Sequence, residues 1–370
     1  MRLRRTRFAI YRLEGAEVRA LSALTGAEVA LTEPEMAALR AVPEDDWAEL
    51  DPTPALQSLA DKGLLLAEAG GEGFECSRQR DATLERDAWH PLAAAFHFGT
   101  KMSGVELRDP PITDGMVERF GAPPPHFKPA MGAEPPIELA AAPPARDDFE
   151  RALEARRTTR FLDPTAGLSS EQFSTLIARV FGVQGACRQH PALTVLHRTS
   201  ASASGLAPPE VYPIVLRVEG LQAGIYHYLA DRHALELLLP ASADELSGLL
   251  RGWAASQVHV GDAAAVFIVT ARFGRTFWKY RQAARSYGVL LMEIGHLSQT
   301  FYLTAAHLEL GAFITTSIND WDVERTLGLD SYHEGVVAML GCGFATGAAP
   351  ARPTVPGSPP FELPFEPYPC

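Results

Sequence analysis

Four short segments carry side chains whose types and spacing suit chemistry. Arg156-Arg157-Thr158-Thr159-Arg160 puts three guanidiniums and two hydroxyls within five residues. That set suits bidentate capture of a phosphate, and it equally suits a solvated basic face. The segment Ser200–Glu210, with Ser202, Ser204 and Gly205, is small and rich in hydroxyls. Such a segment lets the backbone approach a planar ligand; its plain alternative is a polar loop ahead of a strand at Val211. Phe277-Trp278-Lys279-Tyr280-Arg281 sets a lysine beside a tyrosine. Lys279 and Tyr280 can serve as a proton-transfer pair, unless the aromatic neighbours only cover the lysine stem and leave its head in water. Gly311-Ala312-Phe313-Ile314-Thr315-Thr316-Ser317 is expected to form a turn whose amides and hydroxyls can sit against a heterocycle. An ordinary loop is the competing reading of that segment.

Other chemistries lack their signatures. Gly341-Cys342-Gly343 leads into a proline-rich tail, so the strand–turn–helix context of a dinucleotide loop is missing. No Walker A loop, H-E-x-x-H or G-x-S-x-G elbow occurs. Cys76, Cys187, Cys342 and Cys370 contain no C-x-x-C pair. Neither a disulfide framework nor a zinc site is expected, and a reducing cytosol is the expected compartment. His90, His97, His296 and His307 show no ligand spacing, so no metal site is expected.

The formal charge of −12 argues against non-specific nucleic-acid binding, which needs a basic surface. No apolar run approaches the ~18 residues of a membrane span. Arg2, Arg4, Arg5 and Arg7 precede no long apolar stretch, so no secretory signal is expected. Lysine occurs only at Lys62, Lys101, Lys128 and Lys279. In so arginine-biased a chain, a lysine is a choice that composition alone does not explain.

The elements that must position these residues fall into two parts. Up to about residue 70 the sequence reads as a small mixed domain. Phe8, Ile10 and Tyr11 suit a strand, and Thr32-Glu33-Pro34-Glu35 is a capping-box helix start. Thr53-Pro54 starts a second helix stopped by Gly63, and Leu64-Leu65-Leu66 follows as a strand. That pattern is winged-helix-like and suits binding of a peptide or protein; a ligand-free capping domain is the alternative. Residues 71–146 are expected to connect the parts, with ten prolines between 110 and 145. Residues 347–370 form a second proline-rich stretch, a tail. Between them, 147–346 mixes helices with strands. Helices are predicted over 147–155, 169–180 and 282–309, and paired strands over 211–218 and 224–228. The apolar run 263–270 reads as a strand buried on both faces, and 336–340 as a last buried strand. The class is α+β.

Taken in this order, the motifs of 147–346 resemble the nitroreductase-like FMN flavoproteins. Within them, the chain is most similar to the azoline dehydrogenases that mature ribosomally made peptides. Arg156-Arg157-Thr158-Thr159-Arg160 resembles the family's opening R-R-[ST]-x-R, which implies that Arg156, Arg157, Thr158 and Arg160 bind the FMN phosphate. Ser202, Ser204 and Glu210 fall in a segment that resembles its P-S-x-G-x-x-x-P-x-E run against the flavin. The resemblance departs at Ala201, Ser204, Arg281 and Gly288. Gly224-Ile225-Tyr226-His227-Tyr228 resembles its hairpin, and Lys279-Tyr280 its catalytic pair. Arg285-Ser286-Tyr287 and Glu293–Gln299 resemble its long-helix signature, and Leu310-Gly311 its turn over the flavin ring, which leads into Thr315, Thr316 and Ser317. Upstream, Trp89-His90-Pro91, Phe96-His97 and Thr100-Lys101 are also similar to that branch.

The resemblance implies an FMN-dependent dehydrogenase that oxidises thiazolines and oxazolines to azoles. It also implies a homodimer, a precursor peptide as substrate, association with a cyclodehydratase, and an N-terminal module that recognises peptide. Two other functions fit the sequence: an NAD(P)H-dependent nitroreductase of small molecules, and a flavin-free peptide-binding partner within a maturation complex.

Overall fold

The computed structural model describes residues 1–106, 118, 121 and 145–347. The proline-rich stretches of the expected connector and tail lie almost wholly outside them. In the N-terminal part, β1 (Arg2–Arg5), β2 (Ala9–Glu14), β3 (Glu17–Ser22) and β4 (Glu28–Leu31) precede α1 (Glu33–Ala41), β5 (Ala48–Glu49), α2 (Pro54–Asp61) and β6 (Leu65–Ala67). Two three-stranded sheets result, ordered β5-β1-β6 and β2-β3-β4. The start of α1 is written locally: Thr32 accepts from the Glu35 amide, and Glu35 returns to the Thr32 amide at 2.8 Å. Thr53 caps α2, and Gly63 takes the left-handed turn beyond it with φ of 67°. Leu3, Leu31, Leu39, Leu56, Leu59 and Leu65 give this part a core of its own.

The expected connector begins with structure that the sequence reading did not assign. It carries α3 (Glu72–Arg86) and α4 (Pro91–Gly99). Leu84, Trp89, Ala94 and Phe98 join the main core, as do Phe8, Leu24 and Leu66 from the N-terminal part. Tyr332 locks this junction by donating to the Leu24 carbonyl at 2.8 Å.

The remaining elements build the larger α+β unit. They are α5 (Asp148–Ala155), α6 (Ser170–Phe181), β7 (Gly185–His190), β8 (Leu193–His197), β9 (Pro209–Val215), β10 (Gly224–Leu229) and β11 (Ala234–Pro240). There follow α7 (Ala243–Trp253), β12 (Ala265–Arg272), α8 (Phe273–Lys279), α9 (Arg285–His307), β13 (Gly311–Thr315), α10 (Asp320–Leu327) and β14 (Glu334–Gly343). Six strands form an antiparallel sheet ordered β11-β10-β9-β12-β14-β13, while β7 and β8 form a separate hairpin. Strand β12 is central, paired through Val266 with both Ile214 and Gly341. Its alternate side chains enter two cores. Phe267 and Val269 face the core shared with α6 and α9, whereas Val266 and Ile268 face the core shared with α7. A strand covered on both faces needs no polar alternation, so its sequence is an unbroken apolar run.

Two readings of the sequence are corrected here. Gly311–Thr315 is not a turn but the edge strand β13, held against β14 from Gly311↔Gly343 to Thr315↔Met339. Pro209 and Glu210 belong to β9 and not to the polar loop before it. In both places, pairing with a strand distant in the chain overrides local loop-like composition.

Candidate active site

Helix α8 delivers the lysine and the tyrosine. Phe273 and Phe277, one turn apart, are fully buried against Trp89, with ring centroids 4.7 and 4.6 Å from it. The aromatic cluster therefore anchors the helix and leaves Lys279 and Trp278 exposed at its end. Lys279 is not merely a covered stem: its Nζ donates to Ser204 Oγ at 2.6 Å. Ser204 Oγ also shares a hydrogen bond with Tyr280 Oη at 2.9 Å. Three residues that the sequence singled out, two of them adjacent and the third 75 positions upstream, thus meet at one hydroxyl.

The loop carrying Ser204 is held from several sides. Ser200 Oγ bonds Thr300 Oγ1 at 2.6 Å, and His296 Nδ1 lies 3.0 Å from the Ala201 carbonyl. Arg275 Nε donates to the Leu206 carbonyl at 2.6 Å. Glu293, buried on α9, accepts from the Ala203 amide at 3.3 Å and from Ser202. Burial pushes the Glu293 carboxyl up, and the Ser202 and Ala203 donors hold it back. Ser202 Oγ further accepts from the Ala207 amide at 2.9 Å, so this serine shapes the loop. Glu210 faces other partners, Arg272 at 2.8 Å and His227 at 3.5 Å, and the carboxylate raises the His227 pKa.

The arginine cluster lies beside β13. Thr158 bridges Ala312 in parallel, and the Thr159 amide donates to the Ala312 carbonyl at 2.7 Å. Thr158 Oγ1 bonds Tyr302 Oη at 3.0 Å, and Arg156 lies over the Tyr302 ring at 5.5 Å. Arg157, Arg151, Thr159, Tyr302 and His307 line a cavity of about 470 Å³ that also borders Gly311. Among the described residues, no carboxylate stands within 4.0 Å of Arg156, Arg157 or Arg160 as an ion-pair partner. Of the three, Arg157 faces the cavity, which Asp148, paired with Arg151, and Glu309 also line, and an unpaired guanidinium there fits the phosphate of FMN. At the far end of β13, Thr315 is buried and its hydroxyl accepts from Gln257 Nε2 at 3.0 Å and from the Ser317 amide at 3.1 Å. Thr316 is exposed and Ser317 half-buried.

Among the described residues, no hydrogen bond joins the arginine cluster to the Lys279 cluster. Glu293, His296 and Thr300 face the Ser204 loop, while Tyr302 faces the arginines. Tyr302 is nine positions beyond Glu293, about two and a half turns, and two positions beyond Thr300, so it lies on the opposite side of α9 from both. Two supports of the site were not predicted from the sequence. Glu293 interrupts the apolar spacing of Leu290, Ile294 and Leu297, and a carboxylate on a buried stripe is a legible signal. Tyr302 blends into the same stripe and gives none.

Comparison with known proteins gives a consistent result. Residues 153–344, just over half of the chain, match the model of the nitroreductase family. The chain is 30% identical over 135 residues to the MJ1384 protein of Methanocaldococcus jannaschii, named for a nitroreductase, covering 36% of this chain and 66% of that one. It is 32% identical over 152 residues to the trifolitoxin-processing protein TfxB of Rhizobium leguminosarum bv. trifolii, covering 39% of each. It thus spans less than two thirds of each relative's length. In structure it is similar to a chain of the E. coli microcin synthetase McbBCD complex with truncated pro-MccB17 bound. There the TM-score is 0.54 at 21% identity, over 71% of this chain and 98% of that one. This likeness shows the fold alone, and it extends over more of the chain than the family match.

Proposed function

This chain belongs to the nitroreductase family, and from that premise we propose that it is an FMN-dependent dehydrogenase oxidising azoline rings of a ribosomally made peptide to azoles. The observation that carries this reading is the meeting of Lys279 and Tyr280 at Ser204, beside a loop fixed to α9. The similarity to a trifolitoxin-processing protein supports a peptide as substrate. A cyclodehydratase as partner, and an N-terminal part that recognises the peptide, belong to the same proposal.

Arg156, Arg157 and Arg160 would hold the FMN phosphate with Thr158. The Ser202–Ser204 backbone and the Thr315–Ser317 end of β13 would border the ring system. When bound, FMN supplies the hydride acceptor. Aromatisation of an azoline releases one ring proton besides the hydride, and Tyr280, as the phenolate, would accept it at Oη. Lys279 sets a positive charge beside that oxygen. The arginines and the Lys279 cluster lie on opposite faces of α9, and a homodimer that completes the site from two copies of the chain is part of this reading.

The test is the double variant Lys279→Ala with Tyr280→Phe. It is expected to purify yellow, with FMN bound as in the wild type, and to lose turnover of a thiazoline peptide by at least a hundredfold. A fully active double variant would overturn the assignment. The likeness to the MJ1384 protein favours a second reading, an NAD(P)H-dependent nitroreductase. Rapid bleaching of the bound flavin by NADPH would select it. A colourless protein that no added FMN restores would select a flavin-free binding partner instead.

A further inference from the structure

We propose that Ser204 is a positioning residue that transmits the charge of Lys279 to the phenolic oxygen of Tyr280. The proposal rests on the reading of Lys279 and Tyr280 as the proton-handling pair. Three observations carry it. First, Ser204 has φ of 56° and ψ of 22°, the left-handed region that glycine enters freely and a side chain enters at a steric cost. Gly205 follows with φ of 62°, and Ala207 has φ of 47°. Bonds from Glu293, His296 and Arg275 hold the surrounding loop, so the costly backbone is imposed by its surroundings.

Second, among the described residues, the hydroxyl that this backbone presents is the only side-chain hydrogen-bonded link between the pair. Lys279 Nζ reaches Ser204 Oγ at 2.6 Å, Ser204 Oγ reaches Tyr280 Oη at 2.9 Å, and Lys279 Nζ stands 5.8 Å from the centre of the Tyr280 ring. Among the described residues, Lys279 has no carboxylate within 4.0 Å. Its charge is therefore directed at the serine and not spent in an ion pair.

Third, a hydroxyl has one proton to give and two lone pairs. With one lone pair taken by Lys279, Ser204 can donate to Tyr280 Oη when that oxygen has lost its proton, or accept from it when the proton is present. The bridge serves both protonation states without movement of the backbone. A glycine here would relax the chain and break the bridge, so stability and function make opposite demands on this position.

The experiment uses the FMN-bound enzyme and the variants Ser204→Gly and Ser204→Ala. Each is compared with Lys279→Met and with the double variants Lys279→Met/Ser204→Gly and Lys279→Met/Ser204→Ala. Because Ser204 acts through Lys279, each double variant is expected to lose no more kcat than Lys279→Met loses alone. Ser204→Gly is expected to melt a few degrees higher than the wild type, while kcat for a thiazoline peptide falls at least tenfold and KM stays within twofold. Ser204→Ala, which keeps the strained backbone, is expected to lose kcat without the gain in melting temperature. If Ser204→Gly keeps the wild-type kcat, or if its loss multiplies with that of Lys279→Met, the bridge is overturned. Loss of activity in Tyr280→Phe alongside that result would leave the catalytic pair standing. Wild-type activity in Tyr280→Phe would remove the pair itself, and the proposal with it.

Discussion

The three lysines among the described residues are held in three different ways, and the contrast defines what Lys279 does. Lys62 pairs with Glu35 at 2.5 Å and ties the end of α2 to the capping box of α1. Lys101 is buried with Glu324, their side chains 2% and 1% exposed. Its ammonium also lies over the Trp321 ring at 4.4 Å, and Glu324 accepts further from Ser331 and from the Val336 amide. Burial pushes the Lys101 amine down and the Glu324 charge opposes that push. Removing one member of such a pair strands a charge in the interior, at a cost of roughly 3–5 kcal/mol. Lys101→Met is therefore expected to lower stability by that amount in urea unfolding. Adding Glu324→Gln is expected to recover most of the loss; equal losses in the single and double variants would refute the pairing. Lys279 alone of the three faces a hydroxyl.

Helix caps were legible because a cap is written in four adjacent residues. Ser169 accepts from the Gln172 amide at 3.0 Å, and Gln172 accepts from the Ser169 amide at 3.1 Å. The same logic located α1 through Thr32 and α2 through Thr53. Helix α6 brings Phe173, Leu176 and Ile177 into the main core, so its start bears on the whole unit. Ser169→Ala is expected to cost about 1 kcal/mol by chemical denaturation. A cost below a few tenths would mean that core packing alone sets the helix start. What local sequence does not contain is pairing. Strand β13 opens on Gly311 and becomes a strand only through β14, whose partner residues lie some thirty positions later. Helix α3 was illegible for a different reason: of its fifteen residues, only Asp81 and Leu84 are buried, too few to mark a face. The contact of Ser204 with Lys279 and Tyr280 spans 75 residues, so residue types suggested candidates and only the fold joined them.

At the scale of the molecule, α9 lies between the two clusters of the proposed site and carries an exposed face that a second copy could cover. Gly288, Leu291, Met292, Gly295, His296 and Gln299 fall at three- and four-residue steps along its exposed side. Leu291 and Met292 are 41% and 63% exposed. Gly288 and Gly295 have open space where a side chain would stand. An apolar stripe flanked by glycines lets a second helix approach closely, and the Ser204 loop borders the same side through His296 and Thr300. In a two-fold dimer each substitution counts twice, because the same patch serves both copies. Met292→Glu therefore sets two carboxylates into one apolar contact. The wild type is expected to scatter light as twice 40.1 kDa. Met292→Glu is expected to scatter as a single chain and to keep its far-ultraviolet circular dichroism, while binding FMN at least tenfold more weakly. Weaker FMN binding follows only if the partner supplies half of the site. A variant that becomes monomeric yet binds FMN as tightly as the wild type would show that one chain holds the cofactor unaided, and the opposite-face placement of the two clusters would then require a different explanation.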